Sequence, residues 1–132
     1  MKKNALALCT VLIGVLLLGL LCRPANRDIE YCTEINRLIQ SRDFVTARVS
    51  EGEICLYDEN DAVIETIAFE GYNRRVPLVY IRREESSLFF VTAGSVDDES
   101  GFLFVNDGAD SLLDGIKLLE RVGGNSYYYS TR

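Results

Sequence analysis

Hydrophobic and polar positions fall into three regimes along this chain. The first is an unbroken apolar run: Ala5 to Cys22 are eighteen residues without a charge, with Thr10 the single polar side chain. Lys2 and Lys3 precede the run, and Arg23 and Pro24 follow it. A helix rising 1.5 Å per residue would carry it about 27 Å, close to the ~30 Å hydrocarbon core of a bilayer. The second regime has a helical period. Ile29, Cys32, Ile35, Leu38 and Ile39 form one apolar stripe within Asn26 to Arg42, while Glu30, Glu34, Arg37 and Arg42 lie elsewhere on the wheel. The third has a period of two and fills the rest of the chain.

That third regime begins with Val45, Ala47 and Val49 alternating with Thr46, Arg48 and Ser50. A turn at Glu51–Gly52 follows, then Ile54 and Leu56 alternate with Cys55 and Tyr57. A two-residue loop pairs Val49 with Ile54 and Ala47 with Leu56, which puts both apolar sets on one face. A turn from Asp58 to Asp61 leads into a strand from Ala62 to Phe69, and Asn60 or Asp61 suits its left-handed position. Strands are also expected at Val76–Arg82, with Pro77 near the start, at Ser87–Thr92 and at Phe102–Val105. Ala93 to Gly101 reads as a polar loop, and Asp110 or Ser111 as the cap of a helical turn ended by Gly115. Leu118–Val122 and Tyr127–Thr131 close the chain as a hairpin across Gly123–Gly124–Asn125. The expected fold class is α+β: an N-terminal transmembrane helix, one short amphipathic helix, then a mostly antiparallel β domain of about eight short strands. The sheet is expected curled, or split into a small sandwich or barrel. Parallel pairing would need crossover helices, and the pattern has none.

The two ends of the apolar run set the cellular expectation. The exit Leu20–Leu21–Cys22–Arg23–Pro24 holds no small-x-small cleavage site, so residues 1–24 read as an uncleaved signal-anchor. The alternatives are a cleaved signal peptide or a lipoprotein signal, in which Cys22 would carry the lipid after a bulky Leu21. The basic head favours a single-pass protein at the cell membrane, held through residues 5–22, with its N-terminus cytoplasmic and residues 25–132 forming one extracytoplasmic domain.

Charge narrows the partners. Removing residues 1–24 takes away Lys2, Lys3 and Arg23 from 14 basic residues, leaving 11 against 20 acidic ones, a net charge of −9. Nucleic acid, which needs a basic footprint, is excluded as a partner. Histidine is absent, which removes the commonest general base, the usual activator of Ser and Cys nucleophiles and the commonest zinc ligand. No cofactor is expected.

The remaining candidates are few. Arg74, Arg75, Arg82 and Arg83 flank one expected strand and together offer bidentate forks to a carboxylate or phosphate on a partner, or else pair with local acids such as Glu84 and Glu85. Tyr127 and Tyr129 share a strand face opposite Tyr128, as a contact patch or as core. Cys32 and Cys55 are the domain's two thiols, and a disulfide between them competes with two separate thiols, because the expected register turns Cys55 away from the helix face. Asp97, Asp98 and Glu99 offer paired carboxylates for hydrolysis; that loop, or Asn106, Asp107 and Asp110, offers oxygens to calcium without the EF-hand spacing. The expected function is therefore a membrane-anchored, non-enzymatic module that binds another protein or envelope component. A small envelope hydrolase using the acidic loop, or a self-associating structural subunit, are the alternatives.

Overall fold

The computed structural model describes residues 26–95, 98–106 and 116–131. The expected anchor over residues 1–24 and the helical turn from Asp110 to Gly115 lie outside them. Among the described residues no helix is long and apolar enough to cross a membrane. Across the described residues the fold is α+β: one helix, α1 (Asn26–Ile39), and eight strands, β1 (Thr46–Ser50), β2 (Gly52–Tyr57), β3 (Val63–Phe69), β4 (Tyr80–Glu84), β5 (Ser87–Ser95), β6 (Asp98–Phe104), β7 (Leu118–Gly123) and β8 (Ser126–Ser130). All eight join one antiparallel sheet in the order β3-β2-β1-β4-β5-β6-β8-β7.

The first hairpin pairs Val49 with Ile54 and Ala47 with Leu56, the register that the apolar alternation requires. Its partner turn is fixed by Asp58, whose Oδ1 accepts from the amides of Asn60 at 2.8 Å and Ala62 at 3.0 Å, while Asp61 takes the left-handed conformation with φ 60°. Helix α1 buries Tyr31, Cys32, Ile35 and Ile39 against Ala47, Ile54, Leu56, Ile81, Phe90 and Phe104 on one sheet face. Leu38, expected in that stripe, sits at its margin and is 41% exposed. Asn36 is buried in the helix and exchanges amide hydrogen bonds with Asn106 at 3.2 Å. A smaller core of Phe89, Leu103 and Tyr129, with Ile116 and Tyr127 against it, forms on the opposite face.

Three expected boundaries move. The helix ends at Ile39, not Arg42, with a turn after it. Strand β4 begins at Tyr80, not Val76, because the Asn73 carbonyl accepts from Val76 N–H at 3.1 Å and the Val76 carbonyl from Leu78 N–H at 2.8 Å. Those local turns around Pro77 bend the chain before it can pair. The largest change concerns the expected polar loop, Ala93 to Gly101, most of which is a paired hairpin: β5 runs to Ser95 and β6 starts at Asp98, with Gly94 opposite Glu99 and Ala93 opposite Ser100. Glycine makes this possible. Gly94 has φ 97°, and an added Cβ there would lie 1.7 Å from the Asp98 carbonyl oxygen. At Gly101 an added Cβ would lie 1.9 Å from the Phe90 carbonyl oxygen, so only glycine permits this approach of β5 and β6.

Gly101→Ala is therefore expected to cost about 3 kcal/mol or more through backbone displacement. Gly52→Ala, where φ is 88° but no atom lies within 4 Å, is expected to cost about 1 kcal/mol from conformation alone. Urea unfolding of the two variants checks the ranking, and the reverse order contradicts the close approach at Gly101.

Candidate functional site

The acidic stretch carries the most unusual group in the domain. Glu99 lies on β6 and is 2% exposed, on the sheet face opposite the helix. Alternation along β4 turns Tyr80 and Arg82 to that same face, and alternation along β8 brings Tyr129 to it. The Glu99 carboxylate accepts from Tyr80 Oη at 3.0 Å, Arg82 Nε at 2.8 Å, Arg82 Nη2 and Tyr129 Oη at 3.2 Å. Arg82 also reaches Glu84 at 2.8 Å through Nη1, and its guanidinium lies 3.8 Å from the centre of the Phe89 ring. The backbone of Glu99 is tied to Thr131, whose Oγ1 accepts from its N–H at 2.9 Å and whose N–H donates to its carbonyl at 3.0 Å.

The electrostatics follow from this packing. Burial alone disfavours the Arg82 cation, yet its hydrogen bonds to Glu99 and Glu84 outweigh that and raise its pKa. Burial and the nearby Glu99 charge push the Tyr129 phenol upward, and burial with the Glu99 hydrogen bond does the same for Tyr80. Both tyrosines therefore stay neutral donors. Three of the bonds to the Glu99 carboxylate fall on Oε1 and one on Oε2. Such a group ties β4, β6 and β8 together.

The other expected residues are distributed widely. Arg83 caps the helix: its Nη2 donates to the carbonyls of Ile39 at 3.3 Å, Gln40 at 3.0 Å and Arg42 at 2.5 Å, and its guanidinium lies 4.5 Å from the Phe44 ring. Burial lowers its pKa. The four arginines thus do not share one surface. Arg74 and Arg75 alone stay exposed, in a loop where the Asn73 side chain accepts from the Arg75 amide at 3.0 Å. With Glu51, Tyr72 and Asn73 they line a hollow of about 370 Å³, and neither enters an ion pair among the described residues. Tyr129 is fully buried against Phe89, and Tyr127 is half-buried in the same small core, so the two do not form an open patch.

Cys32 and Cys55 stand as two separate thiols: Cys32 is buried on the sheet-facing side of the helix, whereas Cys55 faces outward with Glu53 and Thr66. Asp98 pairs with Ser95 in the hairpin, while Asp97, Asp107 and Asp110 lie outside the described residues. Asn106 is occupied by Asn36, Ser86 and Asn125. Among the described residues no group of three or more His, Cys, Asp and Glu side chains is placed to hold a metal ion. Sequence reasoning missed the convergence on Glu99. The available signal was the shared strand face of Tyr80 and Arg82, obscured because β4 and β6 were placed too early and too late. No protein-family model matches the chain, and no curated protein or solved structure is similar to it.

The two thiols differ enough to test. Burial, then the Asp28 charge, pushes the Cys32 thiol far above its ordinary range. Iodoacetamide is expected to label Cys55 at least tenfold faster than Cys32 in the native chain, read by peptide mass spectrometry; equal rates would contradict the burial. The folded state keeps the Cys32 proton that the unfolded chain releases near pH 8.5, so stability is intact below that value and falls as pH rises through it. Urea midpoints measured from pH 7 to 10 under reduction are expected to fall less in Cys32→Ala than in the parent.

Proposed function

We propose that the chain is a single-pass, membrane-anchored protein whose extracytoplasmic domain has no catalytic role and binds another protein or envelope component through the loop around Arg74 and Arg75. Residues 5–22 supply the anchor, with the N-terminus in the cytoplasm. The observation that carries the reading is the state of these two arginines. They are exposed and without an ion-pair partner among the described residues, in a domain whose sequence holds 20 acidic residues and carries a net charge of −9. Arg82, by contrast, is engaged by Glu99 and Glu84, and Arg83 by the carbonyls at the end of the helix and of Glu85. Glu51 lines the same hollow without forming an ion pair to either, and an unpaired guanidinium retains its fork for an external carboxylate or phosphate. The tyrosine beside the pair, Tyr72, is 38% exposed and adds contact area of the kind interfaces favour.

The test is photo-crosslinking from a benzophenone side chain at position 72 in intact cells. An adduct is expected in the parent and a loss of at least tenfold in Arg74→Ala/Arg75→Ala, with the urea midpoint unchanged because both side chains are solvated. An adduct of undiminished yield removes the arginines from the contact. A C-terminal tag digested by protease from outside wall-stripped cells is expected from the topology, and protection until lysis would reverse it.

A further inference from the structure

Among the described residues the sheet ends at two edge strands, β3 and β7, with no further strand paired to either. An edge strand presents unpaired N–H and C=O groups, which template the addition of another strand. Strand β7 is short in its regular part, since the pairing with β8 shifts after Arg121, and it carries Glu120 and Arg121. Strand β3 differs. Its one charge, Glu65, is already paired with Arg42, and Ile64, Thr66 and Ala68 are exposed along one side of it. Val63 and Ile64 are 58% and 53% exposed.

The start of β3 opens into a hollow of about 260 Å³. Its lining combines the apolar Phe44, Val45 and Ile64 with the carboxylates of Asp43, Asp58 and Glu59. Asp58 Oδ1 is held by the Asn60 and Ala62 amides and Asp43 feels the Arg83 charge, but none of the three enters an ion pair among the described residues. A long basic side chain matches such a lining, with its aliphatic stem for the apolar residues and its charged head for the carboxylates. A second copy of the chain does not match. Each domain carries −9, so a second copy brings net charge of the same sign to this edge.

We propose that the β3 edge binds an extended peptide segment of a partner protein, apolar along its length and basic at the end that meets the Asp43/Asp58/Glu59 hollow. Backbone pairing gives the attachment, and the hollow gives the choice of residue. The inference rests on the reading that this domain binds a polypeptide, but on a different surface. Variants at β3 leave Arg74 and Arg75 in place, so the failure of either reading is seen separately.

The probe is a fluorescein-labelled synthetic peptide of alternating Val and Thr ending in two C-terminal Arg residues, titrated by anisotropy with the full-length chain in detergent micelles. Antiparallel addition sets its C-terminus at the hollow. The expected result is affinity at least tenfold above that of the same peptide ending in two Glu residues. Asp43→Asn/Glu59→Gln, both exposed, is expected to remove that difference, and Ile64→Lys to remove binding, with circular dichroism and urea midpoint retained. If Ile64→Lys fails to fold, Thr66→Lys takes its place at the middle of the edge. Equal affinity for the Arg and Glu peptides would overturn the proposal. So would full binding by the charge-neutralised variant, or a sedimenting homodimer that Ile64→Lys dissociates.

Discussion

The Arg82–Glu99 ion pair is the constraint around which the outer half of the sheet is assembled. Taking a carboxylate and a guanidinium out of water is expensive, and the cost is recovered only when geometry is good and the remaining hydrogen-bonding sites are filled. Here Tyr80 and Tyr129 each add a donor to the carboxylate, and the Phe89 ring covers the guanidinium. The participants come from β4, β6 and β8, and Thr131 fastens the last residues of the described chain to the backbone of Glu99. A network that is fully satisfied rigidifies its neighbourhood, whereas one with a missing member leaves a buried charge.

That arrangement decides what the surface has left. The two arginines beside each other on β4 point to opposite sheet faces, and each is consumed: one by Glu99, the other by the carbonyls at the end of α1. The polar groups left unspent lie at the periphery: an arginine loop between β3 and β4, and a carboxylate-lined hollow at the start of the β3 edge. The two places have opposite charge character.

Much of the fold was legible because its signals are local. The alternation in Val45–Leu56 fixes both strands and their register, and the stripe Ile29–Ile39 fixes the helix and its buried side. The acidic stretch was not legible, for a physical reason. Asp97–Asp98–Glu99 beside glycines carries the composition of a loop, and only the close backbone approach at Gly94 and Gly101 shows why a strand begins at Asp98. The buried role of Glu99 depends on partners 17 to 32 residues away in sequence, which no window of periodicity contains. The arginines mislead in the same manner: a run of charge reads as surface until the strand register sends one side chain to a carboxylate and the other to a helix end.

The most direct test of this account is a double-mutant cycle on Arg82→Met and Glu99→Leu, read as unfolding free energy in urea. Each single change leaves its partner charged and partly buried, and is expected to cost about 3 kcal/mol. The double variant is expected to lose far less than the sum, giving a coupling of about 2 kcal/mol or more. Additive losses would mean that the pair does not hold these strands together and would contradict the central place given to Glu99.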